Sequence, residues 1–150
     1  MGPILGMGNA TCAQIKWHLQ DCDSLYEPAL HSRVNIEQYA EKIYEKAERF
    51  EAWDDDRLVG LIAAYLPDGM DGPCFVTNVS ILEKYHGGGL ALDLMRFFIA
   101  KVAELKCESI ALEVSRQNVK AIHFYEKMGF SIVNCAADIL TMRLALGVVE

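Results

Sequence analysis

Hydrophobic residues recur at helical spacing in three segments of the chain. One segment follows Asn35, one follows three consecutive glycines, and one follows Asn118. Apolar positions three and four residues apart place such side chains on one face of a helix. These positions are Ile36, Tyr39, Ala40, Ile43, Tyr44 and Ala47; Leu90, Leu94, Phe97, Phe98, Val102 and Leu105; and Ala121, Ile122, Tyr125 and Met128. The pattern predicts three amphipathic helices.

Shorter apolar runs between these helices predict β-strands. Six of them are bounded by turn residues and lie at residues 50–53, 58–66, 74–81, 107–115, 131–133 and 139–146. The three aspartates at residues 54–56 favour a turn, so the first two runs predict a hairpin. Residues 13–19 alternate loosely between apolar and polar side chains, which predicts a strand at the start of the sheet. Residues 21–30 then predict a short helix.

The order of these elements predicts one α+β (mixed α/β) domain over residues 1–150. A chain of 150 residues is long enough for one compact domain and too short for two of enzyme size. We expect a three-layer fold: a central mixed, mostly antiparallel sheet of about six to seven strands with helices on both faces. One right-handed β-α-β crossover should surround the glycines. Residues 1–10 are expected to be a poorly ordered lead.

Composition and charge narrow the classes of function. Lys and Arg number 14 and Asp and Glu number 21, so the net charge is −7. That charge disfavours nucleic acid and anionic membranes as partners. No uninterrupted apolar run is long enough to span a bilayer, and the first residues lack the basic start of a signal peptide. We expect a soluble, cytoplasmic protein, a monomer or homodimer, that acts on a small molecule or peptide.

The cysteines and histidines show no metal-site pattern. The five cysteines are far apart without a C-x-x-C pair, and the four histidines form no H-x-x-x-H pair. Zinc sites and disulfide frameworks normally show such spacings. We therefore expect reduced, mostly buried thiols and no bound metal.

Three consecutive glycines, Gly87 to Gly89, join a predicted strand to a predicted helix. Backbone N–H groups at such a helix start bind anions, so the loop suits a phosphate or pyrophosphate. A tight turn that only requires positive φ is the plainer alternative. A P-loop is excluded because no Gly-Lys-Ser/Thr follows. A dinucleotide-binding domain is a weaker alternative, because Leu92 stands at the third glycine of that fingerprint.

Two segments together resemble a known family. The segment His86-Gly87-Gly88-Gly89-Leu90-Ala91 resembles the acetyl-CoA pyrophosphate loop, R/Q-x-x-G-x-G/A, of the Gcn5-related N-acetyltransferase (GNAT) family. Residues 112–130 are similar to that family's L-x-V-x-x-x-N-x-x-A-x-x-L/F-Y-x-x-x-G-F segment. His86 departs from the family's Arg or Gln, and Glu83 stands where Pro is frequent. Both departures leave the backbone donors of the loop intact.

The resemblance implies that acetyl-CoA is the cosubstrate and that no metal takes part. It also implies that the fourth and fifth strands splay apart, so that the pantetheine arm pairs with the fourth strand as an extra strand would. The pyrophosphate would then lie on the amides of the glycine loop. The positions implied to bind the cofactor are Val79, Ile81, Leu82, His86, Gly87, Gly88, Gly89, Leu90, Ala91, Asn118 and Tyr125.

Two side chains match the family's positions for acid–base catalysis. Tyr125 would donate a proton to the leaving sulfur, although an aromatic residue on an apolar helix face can also simply be core. Glu113 would take the proton of the acceptor amine, because alternation turns it away from its apolar neighbours in the strand. A strand glutamate can equally face solvent or pair with a cation. Asn118 is expected to cap its helix in either case.

The resemblance therefore predicts an acyltransferase: an acetyl-CoA-dependent N-acetyltransferase that acetylates a primary amine of a small molecule or peptide directly. A non-catalytic acyl-CoA sensor, which keeps the loop but has no turnover, is the alternative. The acceptor amine is not identified, because no motif marks the segments that would bind it. The negative net charge favours a cationic amine.

Overall fold

The computed structural model describes residues 2–26, 28–70 and 72–147, which form one seven-stranded sheet with four α-helices. The strands are β1 Ile4–Met7, β2 Glu48–Asp54, β3 Arg57–Tyr65, β4 Pro73–Ile81, β5 Ser109–Ser115, β6 Ser131–Ala136 and β7 Ile139–Ala145. The helices are α1 Cys12–Cys22, α2 Ile36–Lys46, α3 Leu90–Glu104 and α4 Val119–Lys127. From α2 onward, these elements lie close to the predicted ones.

The strands lie in the order β1-β2-β3-β4-β5-β7-β6. All neighbours are antiparallel except β4 and β5, which run parallel and are connected through α3. On one face, Ile15 of α1 and Ile43 of α2 share a core cluster with Leu61 of β3. On the other face, Leu94 and Phe98 of α3 belong to the second cluster. The predicted arrangement of a mixed sheet with helices on both faces is confirmed.

The pairing of β4 with β5 covers only part of each strand. It ends at Val76 and Leu112, whereas β4 continues to Ile81 and β5 to Ser115. The register of β4 on β3 skips Thr77, which is the extra residue of a β-bulge. A bulge bends its strand and increases the local twist. The two parallel strands therefore separate beyond the bulge, as the resemblance implied.

The strand predicted at residues 13–19 is wrong, because this segment belongs to helix α1. Thr11 and Gln14 form a capping box in which each side chain accepts a hydrogen bond from the backbone N–H of the other residue, at 3.1 and 2.8 Å. Such a box satisfies two backbone donors at a helix start. The buried side chains then repeat every three or four residues: Ile15, His18, Leu19 and Cys22.

The poorly ordered lead predicted at residues 1–10 is wrong over its described part, since Ile4–Met7 pairs antiparallel with β2. The carboxylate of Glu51, fully buried in β2, accepts hydrogen bonds from the backbone N–H groups of Asn9 at 2.8 Å and Ala10 at 3.0 Å. These long-range bonds hold the segment that leads into α1. Met1 lies outside the described residues.

The helix predicted at residues 21–30 is also wrong. The segment instead contains single turns of 3-10 helix at Asp23–Leu25 and Leu30–Ser32, and Glu27 lies outside the described residues. Asp23 accepts a hydrogen bond from the backbone N–H of His31 at 2.6 Å. This bond between the two turns replaces the ladder of a continuous helix.

The five cysteines are free thiols, of which Cys22, Cys74 and Cys107 are buried. Across the described ranges, no three His, Cys, Asp or Glu side chains gather into a group that could hold a metal ion. Among the helices of the described chain, none has the length and apolar character needed to cross a membrane.

Candidate functional site

A cavity of about 380 Å³ opens where β4 and β5 separate. Its walls come from β4 residues 77–81, β5 residues 113–115, the start of α3, one side of α4 and the segment that follows α1. We call this cavity the cleft. The carboxyl ends of parallel strands, where their connections diverge, are a usual place for ligand sites in sheets covered by helices.

Most positions predicted to form the site lie together in this cleft: Val79, Ile81, His86, Ala91, Glu113, Asn118 and Tyr125. Gly87, Gly88, Gly89 and Leu90 form the chain between two of these lining residues. Leu82 lies apart from the cleft, because its side chain is buried in the core and its backbone N–H donates to the Val59 carbonyl at 2.9 Å. Leu82 therefore has no free amide to offer a cofactor.

The glycine loop presents backbone amides without intrahelical partners. Gly87 and Gly89 have φ of +82° and +83°, and an added Cβ at either would meet no described heavy atom within 4 Å. Gly89 is the N-cap of α3, and it has no side chain to accept from the first turn. The bond from Asp93 N–H to the Gly89 carbonyl begins the helical ladder. The amides that precede Asp93 have no partner within the helix, and unpaired amides at a helix start are the groups that bind anions.

The His86 side chain braces this loop. Its Nε2 lies 2.8 Å from the Ile81 carbonyl oxygen, and because a carbonyl can only accept, Nε2 carries the proton and donates it. The bond ties the residue before the glycines to the end of β4. The departure from the family's Arg or Gln thus has a structural role in this chain, and contact of His86 with a phosphate stays a prediction.

Tyr125 combines a core position with a place in the cleft wall. The residue is 8% exposed, and its ring packs against Phe124 and Phe130 at centroid distances of 5.6 and 5.8 Å. Burial raises the pKa of Tyr125 to about 12. The phenol therefore keeps its proton at neutral pH and can act as a hydrogen-bond donor. Its predicted core packing and its predicted place beside the cofactor are compatible.

Glu113 and Asn118 lie on the opposite strand and at the start of α4. Glu113 is exposed on β5 between the buried Leu112 and Val114, as alternation predicts, and it lines the cleft. Asn118 Oδ1 accepts a hydrogen bond from Ala121 N–H at 3.2 Å. The predicted N-cap is confirmed, and Asn118 also lines the cleft.

A line of buried polar side chains, which the sequence analysis did not predict, runs from α1 to the cleft. Tyr26 Oη donates to Asn78 Oδ1, and Asn78 Nδ2 donates to Ser80 Oγ at 2.8 Å. Ser80 Oγ lies 2.8 Å from His18 Nε2. Burial lowers the pKa of His18 to about 4, so the ring is neutral at neutral pH. We call Tyr26, Asn78, Ser80 and His18 the polar chain.

One signal in the sequence could have indicated part of the polar chain. In β4, every second residue from Cys74 to Ser80 is buried, so Asn78 and Ser80 occupy core positions. Polar side chains at core positions of a strand need internal hydrogen-bond partners. Asn78 has such partners: besides its bonds to Tyr26 and Ser80, its Nδ2 donates to the Leu61 carbonyl of the neighbouring strand β3 at 3.2 Å.

Charged residues are distributed unevenly between the cleft and a second cavity. Arg33, Lys120 and Glu113 line the cleft, so the cleft is not strongly acidic. A second cavity of about 620 Å³ is lined by Asp21 and by the three aspartates at residues 54–56. These three residues form the predicted turn between β2 and β3. Arg57 also lines this second cavity and pairs with Asp21 at 3.0 Å, but the acidic cluster lies there and not in the cleft, which weakens the argument from net charge for a cationic acceptor.

Comparison with known sequences agrees with the geometry of the site. The family described as Acetyltransferase (GNAT) family matches residues 13–130. The spermine/spermidine N(1)-acetyltransferase of Bacillus subtilis (strain 168) is 34% identical over 74 residues, which make up 49% of this chain and 49% of that protein. The chain thus aligns with about half the length of this curated relative.

Solved structures share the fold over nearly the whole chain. The ribosomal-protein-S18-alanine N-acetyltransferase from Escherichia coli has a TM-score of 0.74 at 15% identity, covering 98% of this chain and 97% of that one. The PaiA N-acetyltransferase from Thermoplasma acidophilum, in complex with coenzyme A, has a TM-score of 0.71 at 13% identity, covering 95% and 99%. At these identities the likeness shows the fold, an open mixed sheet covered by helices.

Proposed function

We propose that this chain, which belongs to the acetyltransferase (GNAT) family, transfers the acetyl group of acetyl-CoA directly to a primary amine of a small molecule or peptide. The observation that carries the proposal is that Glu113 and Tyr125 line the same cleft as His86, directly before the glycines, and Ala91, two residues after them. A base candidate, a proton-bearing phenol and an anion-binding loop in one cavity are the groups that acyl transfer from a thioester requires.

The glycine loop and the end of β4 would bind acetyl-CoA. The open space above Gly87 and Gly89 suits a pyrophosphate that approaches the backbone closely. Beyond Val76, β4 has no pairing with β5, so its edge can pair with the pantetheine arm as it would with another strand. We call Val79, Ile81 and residues 83–91 the donor side of the cleft. Leu82 is left out of this proposed contact set.

Glu113 would accept a proton from the amine. A primary amine with a pKa of about 7.7 to 10.4 is largely protonated at neutral pH and has no free lone pair. The small neutral fraction of the amine has the lone pair that attacks the thioester carbonyl. Glu113 lies on the β5 wall of the cleft and is exposed to solvent, so it can take, directly or through one water, the N–H proton that the nitrogen loses as the C–N bond forms, and the nitrogen ends as a neutral amide.

Tyr125 would stabilise the leaving sulfur. Its pKa of about 12 lies above that of a thiol, about 8.5, so complete proton transfer to sulfur is uphill. The phenol therefore acts as a hydrogen-bond donor to the negative charge that develops on sulfur. One such donor held in a site that excludes water contributes about 10²- to 10³-fold in rate.

The acceptor amine would enter between the β5 wall and the segment after α1, which carries Tyr26 and Arg33. We call this segment, together with the polar chain behind it, the acceptor side. Two similar proteins suggest acceptor classes to test: a polyamine, after the spermine/spermidine N(1)-acetyltransferase, and a peptide that begins with alanine, after the ribosomal-protein-S18-alanine N-acetyltransferase. The cytoplasmic location and the oligomeric state stay predictions.

The direct experiment measures release of the CoA thiol from acetyl-CoA with spermidine or an alanine-initiated tetrapeptide, and detects the acetylated amine by mass spectrometry. The proposal expects thiol release that depends on the amine, with one acetyl group per thiol. The Tyr44→Phe variant, altered at an exposed residue of α2, should behave like the unmodified protein. Tight CoA binding without amine-dependent release would support the sensor alternative instead.

A further inference from the structure

Three of the five buried polar or charged side chains in the described residues belong to the polar chain: His18, Asn78 and Ser80. Burying polar groups is costly unless each is hydrogen-bonded. An apolar core would stabilise the contact between α1 and β4 at lower cost. The polar chain ends at Tyr26, which lines the cleft on its acceptor side. This position suggests that the polar chain contributes to binding of the acceptor.

Backbone carbonyls of β3 fix the direction of every hydrogen bond in the polar chain. The Leu61 carbonyl can only accept, so the Asn78 side-chain atom 3.2 Å away must be Nδ2. The opposite amide atom, beside Tyr26, is then Oδ1. In the same way, the Leu58 carbonyl, 3.1 Å from His18 Nδ1, requires a proton on Nδ1. The neutral ring then accepts at Nε2, and Ser80 Oγ donates to it.

The direction at Tyr26 follows from these constraints. Because Asn78 Oδ1 is an acceptor, the Tyr26 hydroxyl must donate its only proton to Asn78. Burial also raises the pKa of Tyr26, so the phenol keeps that proton. The Arg33 guanidinium lies over the ring, 5.5 Å from its centroid, and restricts the ring's movement. Toward a ligand, Tyr26 Oη can therefore act only as a hydrogen-bond acceptor.

We infer that Tyr26 Oη accepts a hydrogen bond from an N–H of the acceptor amine, and that Asn78, Ser80 and His18 are positioning residues that fix this polarity. The inference rests on the proposed function. A neutral primary amine has two N–H groups and one lone pair. A residue that donated to the nitrogen would occupy the lone pair and block attack. An acceptor at Tyr26 binds an N–H instead and leaves the lone pair free to face the thioester.

The test is steady-state kinetics of Tyr26→Phe with spermidine and with the alanine-initiated tetrapeptide. Loss of one hydrogen bond to the amine should raise the KM of the acceptor about tenfold. The KM of acetyl-CoA and the affinity for CoA should stay within about twofold, because the donor side is unchanged. Tyr44→Phe is the matched control, since it removes an exposed tyrosine hydroxyl of α2.

Ser80 tests the positioning part of the inference. Ser80→Ala removes the link between Asn78 and His18 and should raise the acceptor KM by about threefold, since Asn78 is still held by Leu61. Ser80→Thr keeps the hydroxyl and should restore the acceptor KM. A merely structural Ser80 would change the melting temperature without this selective effect.

Two results would overturn the inference while leaving the proposed function intact. One is an acceptor KM for Tyr26→Phe within about twofold of the unmodified protein. The other is an equal rise in both KM values. Absence of any amine-dependent thiol release by the unmodified protein would contradict the proposed function, and this inference with it.

Discussion

The donor side of the cleft is made of backbone from one short stretch of chain, whereas the acceptor side is made of side chains from distant segments. On the donor side, the His86 bond to the Ile81 carbonyl spans five residues. On the acceptor side, the bond between His18 and Ser80 spans 62 residues and that between Tyr26 and Asn78 spans 52. Both sets of groups face one cavity.

This difference predicts which properties a substitution on each side should change. The donor side uses amides at a surface loop, so a change there alters cofactor binding and leaves the core intact. The acceptor side is continuous with the buried contact between α1 and β4, so a change there reaches both function and stability. A local site and a site assembled by the whole fold should therefore respond differently to substitution.

The largest expected effect is on Tyr125, which lies between the two sides. Tyr125→Phe keeps the ring packing against Phe130 but removes the hydroxyl that stabilises the leaving sulfur. We expect kcat to fall by about 10²- to 10³-fold with little change in either KM or in the melting temperature. Unchanged kcat, under conditions where chemistry limits turnover, would return Tyr125 to a purely structural role.

The next effect concerns the pH dependence of stability through His18. Its pKa is about 4 in the folded protein against 6.5 for the ordinary side chain. Between these values the unfolded chain binds a proton that the folded protein does not. Stability should therefore be constant above about pH 6.5 and fall by up to about 3 kcal/mol as the pH drops toward 4.

Urea denaturation between pH 4.5 and 7.5 measures this effect. His18→Gln lacks the titrating group, so the stability difference between the unmodified protein and the variant should shrink as the pH falls. Asp21 and Arg57, the charged neighbours of His18, are present in both proteins and cancel in the comparison. A difference that does not vary with pH would contradict a buried neutral His18.

Glu113→Gln tests the base on the β5 wall. The amide keeps the shape of the side chain but cannot take a proton. Activity at neutral pH should fall by about 10²-fold and recover partly at high pH, where the free amine becomes abundant. Glu126→Gln, at an exposed position on α4, is the control. Equal loss at all pH values together with a lower melting temperature would indicate a structural Glu113.

A smaller effect than the three above is expected from a methyl group on the donor side. Gly89→Ala places a Cβ in the open space where the pyrophosphate would approach, and CoA affinity measured by calorimetry should fall about 10- to 10²-fold. Gly8→Ala introduces similar backbone strain, because its φ of +66° is also left-handed and open, but it lies outside the cleft. Equal CoA affinity in both variants would contradict the assigned loop.

The same contrast explains what could be predicted from the sequence. The glycines and the stripe around Tyr125 are local patterns, so the donor side and the catalytic candidates were predictable. At residues 13–19, Ile15, Trp17 and Leu19 alternate as in a strand, yet Trp17 is 63% exposed and the other two are buried on a helix. The capping box at Thr11 is the local signal that distinguishes the two interpretations.

The acceptor side could not be predicted in this way. Its bonds join α1, the segment after it and β4, and their geometry depends on the placement of α1 against the sheet. With residues 13–19 assigned to a strand, His18 has no reason to meet Ser80. The β1 strand was missed for a related reason, because buried Glu51 holds the chain that follows it.

The central claim, that two differently built sides of one cleft bind the two substrates, is tested most directly by measuring both KM values for Gly89→Ala and Tyr26→Phe in one assay. We expect Gly89→Ala to raise only the KM of acetyl-CoA and Tyr26→Phe to raise only the KM of the amine. If both variants raise the same KM, or if each raises both equally, the division of the cleft into a donor side and an acceptor side is contradicted.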